Sequence, residues 1–322
     1  MAKFPRFPAV KPAFTGGAGR GRGGAPSSSS SSSSSSLPAG LGPVEPLLLN
    51  LLKRDLRANA VLELSKRRDH CVYAPLLWNS FGSITVLLQE IVSIYPYLSP
   101  PKLSLDASIR VCNALTLLQS VASHPVTRIS FLMAHIHLYL YPFLNTTSKE
   151  TSFENLRISS LGVIGGLVNG LAKVRDSEAI AFLLHSEIIP LCLRAMNNGT
   201  EIKKTLAVFI LQKILLDDVG LLHICSRPDR FLCVCQVLAS VVASLAEQPC
   251  ARLLKYTISC YLRLSEYPRA NEILKAYLPD MLKDGTFNDS LREDPAIFVL
   301  LRRLLNHLRI AAAPPSQSTG RT

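Results

Sequence analysis

From Val44 onwards, apolar residues recur at the spacing of an α-helix, and the two-residue alternation of β-strands is missing. In the stretch 103–124, apolar residues fall at every third position from Ile109 to Val121, and a second set beside them widens the stripe. A stripe this wide indicates a helix that is buried on more than one side. The stretches 205–216 and 253–264 show the same pattern. We therefore predict an all-α chain of about fifteen short helices.

Several of these predicted helices end in a similar short sequence. Leu-Gln pairs at 88–89, 118–119 and 211–212 are each followed, six or seven residues later, by Pro or Asp. The pairs lie 30 and 93 residues apart, which is not one clean period. Helices of this kind bury their apolar faces by stacking on neighbours, so we predict an irregular armadillo-like helical repeat solenoid. A single helical bundle is the alternative.

The first 43 residues have a different composition from the rest. They are rich in Gly, Pro, Ala and Ser and contain ten consecutive serines, Ser27–Ser36. Such a segment buries too little apolar surface to offset its chain entropy. We predict a disordered tail at 1–43, the repeat domain at 44–310 and a second disordered tail at 311–322.

The net charge of +12 raises the question of nucleic acid or another acidic partner. Five of these charges lie in the tail at 1–43, which leaves +7 for the other 279 residues. Basic clusters at 53–57 and 66–68 are spaced to decorate one helix and its end. A solvated helix face is the plainer interpretation of these clusters, and contact with phosphates is the alternative.

No membrane span or signal peptide is predicted. The longest apolar stretches, 129–144 and 231–246, have 16 residues each, whereas a bilayer span needs about 20. Both are predicted to be core helices. The N-terminus has no apolar h-region, so we expect an intracellular protein whose eight cysteines stay reduced.

Motifs for catalysis or metal binding are weak. A G-x-G-x-x-G match at 19–24 has no strand before it, and no P-loop, H-E-x-x-H or G-x-S-x-G occurs. His223, Cys225, Cys233 and Cys235 resemble a zinc set only loosely, and in an apolar helical stretch such residues are predicted to be core. We predict a protein that is not an enzyme, with no catalytic residues, no metal and no cofactor.

Two other groups of residues have structural explanations. His135 and His137 lie in an apolar run and are predicted to be partly buried and hydrogen-bonded. Gly162, Gly165 and Gly166 lie inside a predicted helix, where each glycine costs about 1 kcal/mol relative to alanine. Tight helix packing is one interpretation of these glycines, and a groove floor that a partner peptide can reach is the other.

Nine runs, in order, resemble the Rcd-type cell-differentiation family, the armadillo-repeat subunit of the CCR-NOT mRNA deadenylase complex. The resemblance spans roughly residues 55–290. The runs are VLELSKRRD (61–69), LLQEIVSIYP (87–96), RVCNAL (110–115), VASHP (121–125), SLGVIGGLV (160–168), SEIIPLCLRAM (186–196), FILQKILLDD (209–218), ARLLKYTISCYLRLSEYPRA (251–270) and LPDMLKDGTF (278–287).

The resemblance implies a non-catalytic adaptor in the cytoplasm, including P-bodies, and in the nucleus. It docks on the NOT scaffold subunit, and its concave face accepts short helical motifs of RNA-binding proteins. A homodimer and weak nucleic-acid contact are left open. The implied sites are scaffold-binding Asn79, Phe81, Thr85 and Val92, peptide-groove Asn155, Gly162 and Leu206, and tryptophan-pocket Pro228, Arg230, Cys233 and Arg269.

The chain departs from the family at some of these positions. Asn79 stands where the family often has His, and Thr85 where it has a small Ala. In the tryptophan pockets Pro228 replaces an aromatic residue and Cys233 a His, and a proline offers a smaller face than a ring. Two rival functions follow: a direct nucleic-acid binder that uses a basic groove and the Arg/Gly tail, and a degenerate paralogue that folds but no longer docks.

Overall fold

The computed structural model describes residues 44–67, 70–174 and 176–310, and all regular structure in these residues is helical. The predicted tails at 1–43 and 311–322, with the serine run and the glycine match at 19–24, lie outside the described residues. The α-helices are α1 Val44–Leu52, α2 Arg54–Lys66, α3 His70–Asn79, α4 Ser83–Val92, α5 Leu105–Ser123, α6 Arg128–Met133, α7 Tyr141–Leu144, α8 Thr151–Val174, α9 Ser177–Leu184, α10 Ile188–Asn197, α11 Glu201–Leu215, α12 Asp218–Cys225, α13 Pro228–Glu247, α14 Ala251–Ser265, α15 Pro268–Tyr277, α16 Asn288–Glu293 and α17 Pro295–His307. Short 3-10 helices cover Tyr95–Tyr97, Ile136–Leu140 and Asp280–Leu282.

Five helices, α5, α8, α11, α14 and α17, form a ladder in which each packs against the next in chain order, and α2 packs against α5. Their first residues are 44 to 50 positions apart, close to the repeat length of about 40 to 47 residues in armadillo and HEAT proteins. Other helices, among them the 20-residue α13, fill the intervals and pack against the ladder. The predicted all-α armadillo-like solenoid is confirmed.

The ladder explains why the sequence showed no clean period. The Leu-Gln pairs at 118–119 and 211–212 lie on ladder helices α5 and α11, two repeats apart. The pair at 88–89 lies on α4, which occupies a different place within its repeat. The same dipeptide therefore marks two kinds of helix, and the distances between its copies are not multiples of one length.

The predicted wide apolar stripes lie in the core. Leu115, Leu118 and Val121 of α5 are fully buried between neighbouring helices, and the stripes at 205–216 and 253–264 lie on α11 and α14. Helix α5 begins at Leu105, two residues after the predicted stretch starts, because Ser104 caps it: the Ser104 hydroxyl accepts a hydrogen bond from the Ala107 amide at 3.3 Å.

One prediction of a single helix was wrong. The stretch 129–144 is divided into α6, a 3-10 helix and α7. His135 adopts a left-handed conformation with φ of 55°, which ends the helical path after α6, and Pro142 lies in the first turn of α7. The stretch 231–246, in contrast, lies within the continuous helix α13.

By length and composition α13 is also the one described helix that alone suffices to cross a bilayer; α9 and α10 pass the same test only if joined across a 71° bend. In the structure, residues of α13 that include Phe231, Val234 and Leu238 are buried, and the helix packs against α10, α12 and α14. Its apolar surface is therefore explained by the core of the repeat domain.

Candidate functional site

The four residues predicted to bind the scaffold lie close together in the chain and are all exposed. Asn79 is the last residue of α3, Phe81 lies in the turn that follows, and Thr85 and Val92 lie on α4. Thr85 and Val92 are seven positions apart, so they occupy the same face of the helix. The Phe81 side chain is 94% exposed, more than any other large apolar side chain in the described residues.

The opposite face of α4 fixes this orientation. Leu87 and Ile91 are fully buried, and the Glu90 carboxylate, itself buried, pairs with Arg110 at 2.6 Å and with Arg57 at 3.6 Å. Arg57 belongs to the basic cluster at 53–57, so this part of the cluster is an internal ion pair and not a solvated face. Because these buried residues hold the opposite face of α4 against the core, Thr85 and Val92 remain exposed to solvent.

Gly82 shapes the turn that presents Phe81. Its φ of 75° lies in the left-handed region, which favours glycine. A Cβ at this position would also lie 3.2 Å from the Leu52 side chain at the end of α1. The sequence prediction missed Leu52 and its neighbour on the same helix, Leu49, which is 63% exposed. Their i, i+3 spacing on α1 was the available signal.

The three residues predicted to line a peptide groove lie on neighbouring ladder helices, Asn155 and Gly162 on α8 and Leu206 on α11. Gly162 is buried, and a Cβ there would lie 3.3 Å from the Gln119 amide oxygen of α5. Leu206 is only 3% exposed. Of the three, Asn155 alone presents part of its side chain at the surface. The structure therefore favours tight helix packing over an open groove floor at Gly162.

An aromatic pair that the sequence prediction did not identify borders these glycines. Phe209 of α11 lies over Gly165, whose Cβ would be 3.6 Å from its ring. The rings of Phe209 and Tyr256 are 5.3 Å apart, and the Lys213 ammonium lies 5.3 Å from the centre of the Phe209 ring. This arrangement places π-faces and positive charge together on the partly exposed side of α11 and α14.

A buried ionic network joins α8 to α11 beside Asn155. The Glu154 carboxylate accepts hydrogen bonds from Arg157 at 2.8 Å, from the Thr200 hydroxyl at 2.8 Å and from Lys203 at 3.3 Å. Burial raises the pKa of Glu154, but these donors and charges outweigh it and hold the pKa below its usual value.

The four residues predicted to form tryptophan pockets are divided between two helices. Pro228, Arg230 and Cys233 lie in the first turns of α13, and Arg269 lies in the first turn of α15. Pro228, Cys233 and Arg269 are exposed, and Arg230 is half-buried. Arg230 donates a hydrogen bond to the carbonyl oxygen of His223.

The histidines and cysteines show no catalytic arrangement in the described ranges. No group of three His, Cys, Asp or Glu side chains there is arranged to hold a metal ion. Burial raises the pKa of the Cys235 thiol to about 12, so it stays protonated. The prediction that both histidines are partly buried was wrong for His135, which is exposed. His137 is buried, its Nδ1 atom has no hydrogen-bond partner among the described residues, and burial lowers its pKa to about 4.

Known proteins resemble this chain over most of its length. Residues 47–308 match the Rcd1-like cell differentiation family. The chain is 52% identical over 262 residues to the cell differentiation protein rcd1 of Schizosaccharomyces pombe, covering 81% of this chain and 91% of that protein. It is also 52% identical over 251 residues to the protein CAF40 of Saccharomyces cerevisiae, covering 77% of this chain and 66% of that protein.

Solved structures support the fold independently. A designed armadillo repeat protein superimposes with a TM-score of 0.57 at 11% identity, covering 83% of this chain and all of that one. A second designed armadillo repeat protein, solved in complex with the peptide (KR)4, gives a TM-score of 0.56 at 12% identity, with 83% of this chain and all of that one covered.

Proposed function

Because the chain belongs to the Rcd1-like cell differentiation family, we propose that it is a non-catalytic adaptor subunit of the CCR-NOT complex. In this role it docks on the NOT scaffold through the surface formed by Asn79, Phe81, Thr85 and Val92. It then captures short helical motifs of RNA-associated proteins and so supports mRNA deadenylation, decay and translational repression. We propose the cytoplasm, including P-bodies, and the nucleus as the compartments where it acts.

The observation that carries the proposal is the exposure of Phe81. Fully exposing an aromatic ring forfeits roughly 1.5 to 3 kcal/mol that burial would contribute. The turn at Gly82 nevertheless holds this ring outside. Leu52, whose side chain lies near Gly82, and Val92, at the other end of α4, are exposed as well. Contiguous exposed apolar side chains are typical of protein-binding surfaces. Asn79 and Thr85, the departures from the family pattern, lie on the same exposed surface and add polar groups at its edge.

The test is a binding titration of the purified chain against the NOT scaffold fragment. We expect Phe81→Asp to weaken binding at least tenfold without changing the thermal midpoint, because the side chain makes little contact within the domain. Phe298→Asp is the matched control, since Phe298 is 49% exposed on α17, at the other end of the ladder. Equal binding by wild type and Phe81→Asp, or no binding by the wild type, would contradict the proposal.

Because Gly162 is packed against Gln119, we expect a guest helix to contact other side chains on α8 and α11 instead. A guest helix would meet the partly exposed Asn155, Ile158 and Phe209 along α8 and α11. Helix-in-groove recognition uses apolar anchors at i, i+3, i+4 and i+7 of the guest.

Direct binding of single-stranded nucleic acid is the second candidate, and the Phe209–Tyr256 pair with Lys213 beside it favours this function. Stacked bases and neighbouring cations are the usual basis of such binding. It predicts steep salt dependence, measured with single-stranded RNA, with and without residues 1–43. Weak binding that is insensitive to salt would exclude this function.

A further inference from the structure

Three groups that carry or acquire positive charge meet where α9 and α12 approach the start of α13. His185 is the C-cap residue of α9, His223 lies in the last turn of α12, and Arg230 lies in the first turn of α13. Helix α12 packs against both α9 and α13. Arg230 reaches the His223 carbonyl oxygen, and both Arg230 and His185 are close enough to His223 to act on its charge, so groups from three helices of two adjacent repeats lie near one another.

Arg230 is not neutralised by a carboxylate. Its guanidinium donates a hydrogen bond to the His223 carbonyl oxygen, and it makes no ion pair within the part of the chain that the structure describes. The adjacent acid, Asp229, is occupied by Arg227, with a nitrogen to oxygen distance of 3.1 Å. Most of the donors of Arg230 therefore remain available, at a helix N-terminus whose dipole also favours negative charge.

The two histidines are oriented by their own helices. The His185 Nδ1 atom lies 2.7 Å from the carbonyl oxygen of Ala181, and with a proton on Nδ1 its Nε2 atom is left for an outside partner. Both imidazoles lie at helix C-termini, where a positive charge is stabilised. Burial first, and then repulsion from Arg230 and His185, lowers the pKa of His223. An anion bound among these groups would relieve that repulsion.

The surroundings indicate what kind of anion fits. The site is at the surface, His185 is exposed and His223 is half-buried, so it suits a side chain of another protein. Leu222, 55% exposed on α12, supplies apolar contact beside it. A phosphate monoester carries nearly two charges and three acceptor oxygens, which match a guanidinium flanked by two imidazole rings better than the single charge of a carboxylate does.

We propose that Arg230, His185 and His223 form a binding site for a phosphorylated serine or threonine of a partner peptide. The site occupies the surface on which the family resemblance implies a tryptophan pocket, and Pro228 and Cys233 remain outside the cation cluster. It is independent of the scaffold-docking surface, which lies on α3 and α4.

The test uses the full chain and three synthetic peptides of sequence Gly-Leu-X-Leu-Gly, in which X is phosphoserine, serine or glutamate. Calorimetry gives the affinities, and NMR follows the imidazole signals of His185 and His223. We expect only the phosphoserine peptide to shift both imidazoles. We expect Arg230→Gln or His185→Gln to weaken its binding roughly tenfold, the loss of one charge-assisted contact. His185 is exposed, so its variant reports on binding even if Arg230→Gln unfolds.

Arg227→Gln is the matched control. Arg227 lies three positions before Arg230 and carries the same charge, but it is already paired with Asp229. We expect this substitution to change the affinity less than threefold. An equal loss with Arg227→Gln would show unspecific attraction and overturn the site. Equal binding of the glutamate peptide would overturn its phosphate specificity, and so would unchanged imidazole signals with the phosphoserine peptide.

Discussion

Removal of the Glu154 carboxylate tests whether adjacent repeats are held together by the ionic network between α8 and α11. In Glu154→Ala, Arg157 and Lys203 lose their shared partner, and both residues are only 6% exposed. Arg157 keeps hydrogen bonds to the carbonyl oxygens of Thr146 and Ser148, but no negative charge. The variant would then bury the positive charges of Arg157 and Lys203 without the carboxylate that neutralises them.

Breaking a buried ion pair in this way costs about 3–5 kcal/mol, a large share of the 5–15 kcal/mol that stabilises a typical domain. The assay is urea denaturation followed by circular dichroism, with the midpoint and the slope fitted separately. Glu63→Ala is the control, because Glu63 pairs with Lys66 at 2.8 Å on the exposed surface of α2. We expect that control to cost about 0.5 kcal/mol or less.

The Glu154 network also predicts a pH dependence. Because the folded-state pKa of this carboxyl lies below its ordinary value of 4.5, the stabilisation is present above pH 4.5 and is lost as the pH falls through the folded pKa. Glu154→Ala should remove this acid-dependent loss. If Glu154→Ala lowers the free energy of unfolding by less than 1 kcal/mol, as little as Glu63→Ala does, the argument is refuted. Arg157 and Lys203 would then not need the Glu154 carboxylate as a partner.

His137 should make stability fall between pH 6.5 and pH 4 by up to about 3 kcal/mol, because the unfolded chain takes up a proton there and the folded chain, with a pKa of about 4, does not. His137→Leu should flatten this part of the stability curve, and an unchanged curve would contradict the assignment. Gly220→Ala should destabilise by several kcal/mol, since its Cβ would overlap the Ile214 carbonyl oxygen at 2.0 Å. Gly165→Ala should instead be neutral or stabilise by up to about 1 kcal/mol, because its nearest contact of 3.6 Å is ordinary; equal thermal midpoints for these two variants would disprove the packing argument.

Much of the fold was predictable because helical periodicity is local. The stripes at 103–124, 205–216 and 253–264 correspond to ladder helices within a few residues. Stripes wider than one face required neighbours on both sides, which only stacking provides. The repeat length was not predictable from the Leu-Gln pairs, since two different helices of the repeat end alike.

The candidate sites were predictable to different degrees. The residues around Phe81 came from family resemblance, and the structure places all of them at the surface. Gly162 and Leu206 came from the same resemblance but are both buried. Gln119 of the preceding ladder helix packs against the glycine. Arg230 and His223 were singled out in the sequence for other reasons, but nothing in the sequence grouped them with His185, since the three lie on three helices and meet only after adjacent repeats pack.

The sequence by itself determined that this chain is helical and that its helices must stack, because the spacing of apolar residues along one helix depends only on the backbone period. Only the tertiary structure decided which apolar residues stay outside. Phe81 is 94% exposed and Phe153 is fully buried, although both are phenylalanines at the start of a helical segment. The difference lies in the packing around each ring, because Phe153 belongs to α8, which packs against both α5 and α11, whereas Phe81 lies in the turn between α3 and α4.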